Sequence, residues 1–125
     1  MPGRYTNTEL GNIGENLTLD KYVSMGYRLV ARNWRYSKVG EIDLILSKQS
    51  TLVICEVKTR TSGFPEVPSR AVNKAKRQRI IKLAKIFVLQ NSQFRNYNIR
   101  FDISQILINK NNIATIDLLE NAFYN

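Results

Sequence analysis

Asp43, Glu56 and Lys58 have the chemistry and the spacing to work on a phosphate. Asp43 lies in Gly40-Glu41-Ile42-Asp43-Leu44-Ile45-Leu46, and the other two close the run Leu52-Val53-Ile54-Cys55-Glu56-Val57-Lys58. Both stretches read as strands. Side chains alternate faces along a strand, so Glu41, Asp43 and Ile45 share one face, and Ile54, Glu56 and Lys58 share one on the partner. With Lys48 to Thr51 as the connection, Ser47 pairs with Leu52 and Asp43 falls opposite Glu56. Directly opposed residues of an antiparallel pair hold their Cβ atoms roughly 5 Å apart. Two carboxylates at that separation repel, and burying them is costly unless a cation lies between them. Asp43, Glu56 and the main-chain carbonyl of Val57 form a set of hard oxygen donors suited to Mg2+ or Mn2+. An ion held there would bind a scissile phosphate oxygen, activate a water and offset developing negative charge. Lys58 would position or deprotonate that water, or neutralise the phosphate. The reaction class is phosphodiester hydrolysis. The alternative is a cross-strand salt bridge, since Asp…Glu-x-Lys taken alone recurs often by chance.

The residues that are missing narrow the chemistry further. The chain has no histidine, which removes Ser-His and Cys-His catalytic units and histidine-ligated metals. With Cys55 as the one cysteine, a Cys/His zinc cage and an internal disulfide are excluded too, and a thiol inside an apolar strand reads as structural. At 125 residues with 43% apolar and 23% charged content, one domain spanning 1–125 with a real core is expected. No secretory leader opens the sequence and no apolar run approaches the roughly 20 residues of a membrane span, so a cytoplasmic protein fits.

The net charge is +9, and its placement is one-sided. Between Val67 and Phe101 there are nine basic residues and no acidic one, while the rest of the chain balances ten against ten. Such a block suggests a polyanionic partner, nucleic acid ahead of an anionic membrane. The membrane reading is weakened because the basic helix lacks a broad apolar face to insert. The alternative is a solvated face that only aids solubility.

The elements that must position these groups follow from periodicity and punctuation. Asn7 to Met25 reads as a helix capped by Asn7 or Thr8, with Gly26 as its stop. Glu15 lies on a face of that helix aligned with Leu19 and Tyr22. It is either an acid tolerated there by the dipole or a third carboxylate aimed at the site. Tyr27 to Asn33 is a strand running into Trp34-Arg35-Tyr36, where Trp34 packs or stacks on a base. Thr59 to Pro68 reads as an irregular loop placed to cover a substrate. A helix follows from Ser69, or from Asn73, to about Gln90, with Ile80, Leu83, Ala84 and Phe87 as its core stripe. Its basic residues lie mostly on the other side, where they would meet phosphates. After a polar loop at Asn91 to Tyr97 come strands at Ile99 to Ile108 and Ile113 to Leu119, and a tail from Glu120 that is a short helix or frayed. The order helix, three strands, helix, two strands predicts an α/β or α+β domain with a mixed sheet.

The ordered set Gly14-Glu15, Gly26-Tyr27, Arg32-Asn33-Trp34-Arg35, Gly40 to Ile45, Glu56-Val57-Lys58-Thr59-Arg60 and Ala71-Val72…Lys76 resembles the bacterial YraN-like family. That family comprises predicted endonucleases of the PD-(D/E)xK superfamily, distantly similar to archaeal Holliday junction resolvases. The resemblance runs from the first helix to Phe101-Asp102. It implies an α/β, restriction-endonuclease-like core with a mixed central sheet flanked by helices. It also implies Asp43 as the first metal carboxylate, Glu56 as the second, Lys58 as the catalytic lysine and Glu15 as an additional acid from the first helix. The proline that precedes the aspartate in the superfamily motif is Ile42 here. The expectation is a Mg2+- or Mn2+-dependent DNA endonuclease acting on branched or damaged DNA, with Arg60, Lys74, Lys76, Arg77 and Arg79 on backbone phosphates. A symmetric four-way junction would call for two active sites and hence a homodimer. The alternative is a non-catalytic nucleic-acid-binding module that keeps the nuclease fold.

Overall fold

The structure, a computed structural model, describes residues 5–61 and 72–124. Helix α1 (Asn7–Ser24) leads into strands β1 (Arg28–Tyr36), β2 (Gly40–Lys48) and β3 (Thr51–Thr61); helix α2 (Lys74–Gln90) is followed by β4 (Asn98–Ile108) and β5 (Ala114–Phe123). The five strands form one sheet in sequence order, antiparallel except where β3 and β4 run parallel across the α2 crossover. This is the α/β architecture expected, a mixed sheet flanked by two helices and consistent with a restriction-endonuclease-like core. Among the described residues no helix is long and apolar enough to cross a membrane.

Each helix has its own face of the sheet. Ile80, Leu83, Ala84 and Phe87 of α2 pack with Ile45, Leu52, Ile54, Phe101 and Ile103, as the apolar stripe predicted. On the other side Tyr22 of α1 packs with Leu44, Leu46, Val53 and Cys55. Cys55 is a buried core thiol there, and burial pushes its pKa up. Trp34 packs edge-on against Phe87, with ring centroids 5.2 Å apart, and lies partly buried against the core. Gly14 is where α1 comes closest to the sheet: a methyl group there would overlap the Thr59 hydroxyl and press on Val57.

Several boundaries differ from the expectation, each for a local reason. The α1 cap is Thr6, one residue before Asn7, because Thr6 and Glu9 complete a reciprocal capping box. Of the two α2 starts, the later one holds: the Asn73 side chain accepts from the Lys76 N–H. Thr59 to Thr61, expected as loop, stay in β3 because parallel β4 supplies Ile106, Leu107 and Ile108 as partners. The expected loop cover continues into 62–68, which lies outside the described residues. The polar loop after α2 contains a 3-10 turn, Ser92–Phe94, that buries Phe94. Glu120 to Phe123, expected as short helix or frayed tail, extends β5: Phe123 stacks on Phe101 with centroids 5.0 Å apart.

That extension also completes a buried ionic cluster. Asp102 is fully buried and accepts hydrogen bonds from Tyr22 Oη (2.6 Å), Arg100 Nε (2.9 Å), Arg100 Nη2 (2.8 Å) and the Asn121 N–H (2.8 Å). Asn121 bends β5 with a left-handed backbone, φ 55°, beside the register slip between Phe101 and Ile103. Arg100 also lies over the Tyr27 ring, 5.5 Å from its centroid. A buried carboxylate needs this full set of partners, and the set ties α1, β4 and β5 together.

Candidate functional site

The central hairpin has the register that its sequence suggests. Ser47 pairs with Leu52 and Leu44 with Cys55, around the turn at Gln49-Ser50. Backbone pairing of β2 with β3 then stops, one step before Asp43 and Glu56. The alternation of β2 slips at that point: Ile42 and Ile45 both join the α2-side core, while Leu44 and Leu46 face α1. Asn33, across from Asp43 on β1, is in a left-handed conformation at φ 53°. The Asp43 side chain reaches β3, where its Oδ2 accepts the Val57 N–H at 2.8 Å. The two strands part at their ends, and the carboxylate takes the place of a ladder carbonyl.

Glu56 points to the α2 side and is 6% exposed. Lys76, in the first turn of α2, reaches it with Nζ 3.3 Å from Oε2. Burial raises the Glu56 pKa first, the Asp43 charge raises it further, and Lys76 opposes both; the result is about 8. Asp43 is raised to about 6 by burial, against the Val57 N–H, with Glu15 and Glu41 adding to the rise and Lys76 lowering it. Two neighbouring acids that hold on to protons near neutral pH form a place that wants positive charge.

Lys58 and Arg60 follow Glu56 on the same face of β3, both half-buried. The Val57 carbonyl points to the same edge as its N–H, toward Asp43 and beyond the last β2–β3 pair. Glu15 is 8% exposed and faces the site from α1, but Arg32 Nε (3.0 Å) and Asn33 Nδ2 (3.1 Å) both donate to its Oε1. Its charge is felt at Asp43 while its oxygen is held by β1.

The donor chemistry fits a hard divalent cation. Asp43, Glu56 and the Val57 carbonyl would hold it, and the Lys76 ammonium already acts as counter-ion to Glu56. Among the described residues no three Asp, Glu, Cys or His side chains gather closely enough to hold an ion. Mg2+ suits such a sparse site, since it is commonly bound by one or two carboxylates with substrate oxygens and waters completing the shell.

The residues expected on phosphates divide by environment. Lys74 and Arg79 are exposed on α2. Lys76 is drawn to Glu56, and Arg77 Nε donates to the Val72 carbonyl at 3.0 Å. The Lys76–Glu56 pair was not legible in the chain: both were singled out, in separate roles, 20 residues apart. The i, i+4 reading of α2 gives its faces but not which turn lies over which strand position.

A family model described as "Uncharacterised protein family UPF0102" matches residues 14–106. The chain is similar to a UPF0102 protein of Caldicellulosiruptor bescii, 39% identical over 116 residues that cover 92% of this chain and 97% of the relative. It is also similar to a UPF0102 protein of Clostridium botulinum, 34% identical over 120 residues, 95% of this chain and 97% of that one. The matched span holds every site residue described above. None of these names states an activity.

Proposed function

This chain belongs to the uncharacterised protein family UPF0102, and from its site we propose that it is a Mg2+- or Mn2+-dependent DNA endonuclease, acting on branched or damaged DNA. The observation that carries the reading is the buried pair Asp43 and Glu56, placed at the open end of a hairpin with Lys58 beside it and basic α2 above. Glu56 already has the Lys76 ammonium 3.3 Å away, yet its pKa stays raised, so one lysine does not offset the burial of the two acids. Burial raises both carboxylates, Asp43 raises Glu56 further and Glu15 and Glu41 raise Asp43, a state that a divalent cation would relieve.

The bound ion would supply Lewis acidity toward the scissile phosphate. The protein's own groups do the rest. Asp43 and Glu56 fix the charge at the strand ends. Lys58 reaches the same phosphate, where its ammonium offsets charge that builds on the non-bridging oxygens. The water oxygen bonds to phosphorus as the ester P–O bond breaks, the water's proton passes to solvent, and the leaving oxygen takes one up. Lys74 and Arg79 hold the DNA backbone. A cation held by Glu56 would compete with Lys76 for that carboxylate, and a released Lys76 would be available to a phosphate.

The test is incubation of supercoiled plasmid, branched and single-stranded DNA with the protein and Mn2+, beside Glu56→Ala and Lys58→Ala. Cleavage that both substitutions abolish is expected. Cleavage that survives both places the activity elsewhere. A second reading, a DNA-binding module without catalysis, draws on the same Lys76–Glu56 pair: a lysine that permanently neutralises Glu56 would make the metal unnecessary. It predicts salt-dependent DNA binding that metal does not change.

A further inference from the structure

Gln105 has no role in the site described so far. Parallel pairing aligns it on β4 with Lys58 of β3, and antiparallel pairing aligns it with the exposed Asp117 of β5. Residues aligned on neighbouring strands share a face. Gln105 therefore stands on the α2 side of the sheet, one row beyond Glu56 and Ile103. It is 2% exposed, yet among the described residues neither its amide nitrogen nor its amide oxygen has a hydrogen-bond partner.

An amide offers two donors and one acceptor oxygen, and burying both ends unmet costs free energy that a methionine or leucine of similar size would avoid. The other buried polar groups of β4 show the usual behaviour: Ser104 bonds Thr18 at 2.7 Å, and Asp102 is held by three residues. Gln105 is the exception, and it lies beside Lys58. An unmet buried amide next to a reactive side chain is explained when a ligand completes it. The ligand must present an acceptor and a donor together. A phosphodiester has only acceptor oxygens, whereas a phosphodiester with a water beside it has both.

We propose that Gln105 is a further residue of the catalytic centre: its amide N–H donates to a non-bridging oxygen of the scissile phosphate and its amide oxygen accepts from the attacking water. The assignment rests on the nuclease reading. A neutral amide orients the water through one proton without removing it, which leaves a lone pair free to face phosphorus and makes the contact independent of pH.

The experiment is steady-state cleavage of a branched duplex with Mn2+ by wild type, Gln105→Met and Gln105→Asn, with thermal melting of each protein without DNA. For Gln105→Met the expected results are a melting temperature a few degrees higher, kcat lower by about 100-fold and KM within about twofold. Gln105→Asn, which keeps both amide groups on a shorter stem, should recover part of the rate. A lower melting temperature for Gln105→Met would make the amide a structural group and overturn the proposal. Unchanged kcat would overturn it as well, with the nuclease reading intact. A wild type that cuts none of the substrates sinks the nuclease reading, and the Gln105 assignment falls with it.

Discussion

At the scale of single residues, two carboxylates have folded-state pKa values above their ordinary range. Glu56 at about 8 and Asp43 at about 6 bind protons more tightly in the folded protein than in the unfolded chain. The folded state therefore carries more protons between roughly pH 4 and pH 8, and the stability of the metal-free protein falls as pH rises through that window. The slope approaches about 1.4 kcal/mol per pH unit where one proton separates the states. Glu56→Gln removes the larger share, so its denaturation midpoint should exceed wild type at pH 8.5 and converge with it near pH 4. An unchanged pH profile in urea melts of the variant would contradict the assignment of the buried proton. Asp102 is the opposite kind of buried acid, with every lone pair met by Tyr22, Arg100 and Asn121. Asp102→Ala removes the fully buried partner of Arg100, only 18% exposed, and leaves it the half-exposed Glu120 at 3.2 Å. It should cost about 3–5 kcal/mol in chemical denaturation. A loss below about 1 kcal/mol would show the cluster to be incidental.

At the scale of elements, the hairpin was legible and the helix contacts were not. Period-2 patterning and a two-residue turn fix the β2–β3 register, because a slip by one would put every apolar side chain on the wrong face. The departure from it, at Asp43, lies opposite a left-handed Asn33 on another strand, which no local pattern in β2 or β3 announces. Helix α1 is weakly amphipathic: it buries Gly14, Glu15, Thr18 and Tyr22, and two of these four meet polar groups of β4. Its orientation is set by contacts some 80 residues away in the chain. The same distance hid the role of Asp102 and the strand character of Glu120 to Phe123. Gly14 is the simplest test of how α1 is seated. Gly14→Ala forces the helix off Thr59 and Val57, and overpacking of this kind costs about 1–3 kcal/mol. Adding Thr59→Ala should recover part of that loss in the same denaturation assay; no recovery would mean that the contact with Thr59 is not what holds α1 at its distance.

At the scale of the whole molecule, the acid-free stretch after Val67 is less uniform than its charges suggest. Arg100 is consumed by Asp102, Arg77 is tied to the Val72 carbonyl and Lys76 faces Glu56. Lys74, Arg79, Lys82, Lys85 and Arg95 are exposed. Under the proposed function, the surface offered to DNA is one side of α2 leading down to the open end of the hairpin. Lys74→Ala with Arg79→Ala should weaken DNA binding at every sequence and reduce the salt slope of log K by about 2. An unchanged slope in filter-binding titrations would move the interface elsewhere. On the proposed reading such phosphate contacts would bring the backbone to the site, and a cation held by Asp43 and Glu56 would make an acidic centre compatible with a polyanion. The most direct measurement is a calorimetric titration of Mn2+ into wild type and Glu56→Gln at pH 8. The account predicts one ion bound per chain at millimolar concentrations or below, with proton release and tighter binding as pH rises through the Glu56 range, and loss of that binding in the variant. Absence of uptake by wild type, or equal uptake by both proteins, would contradict it.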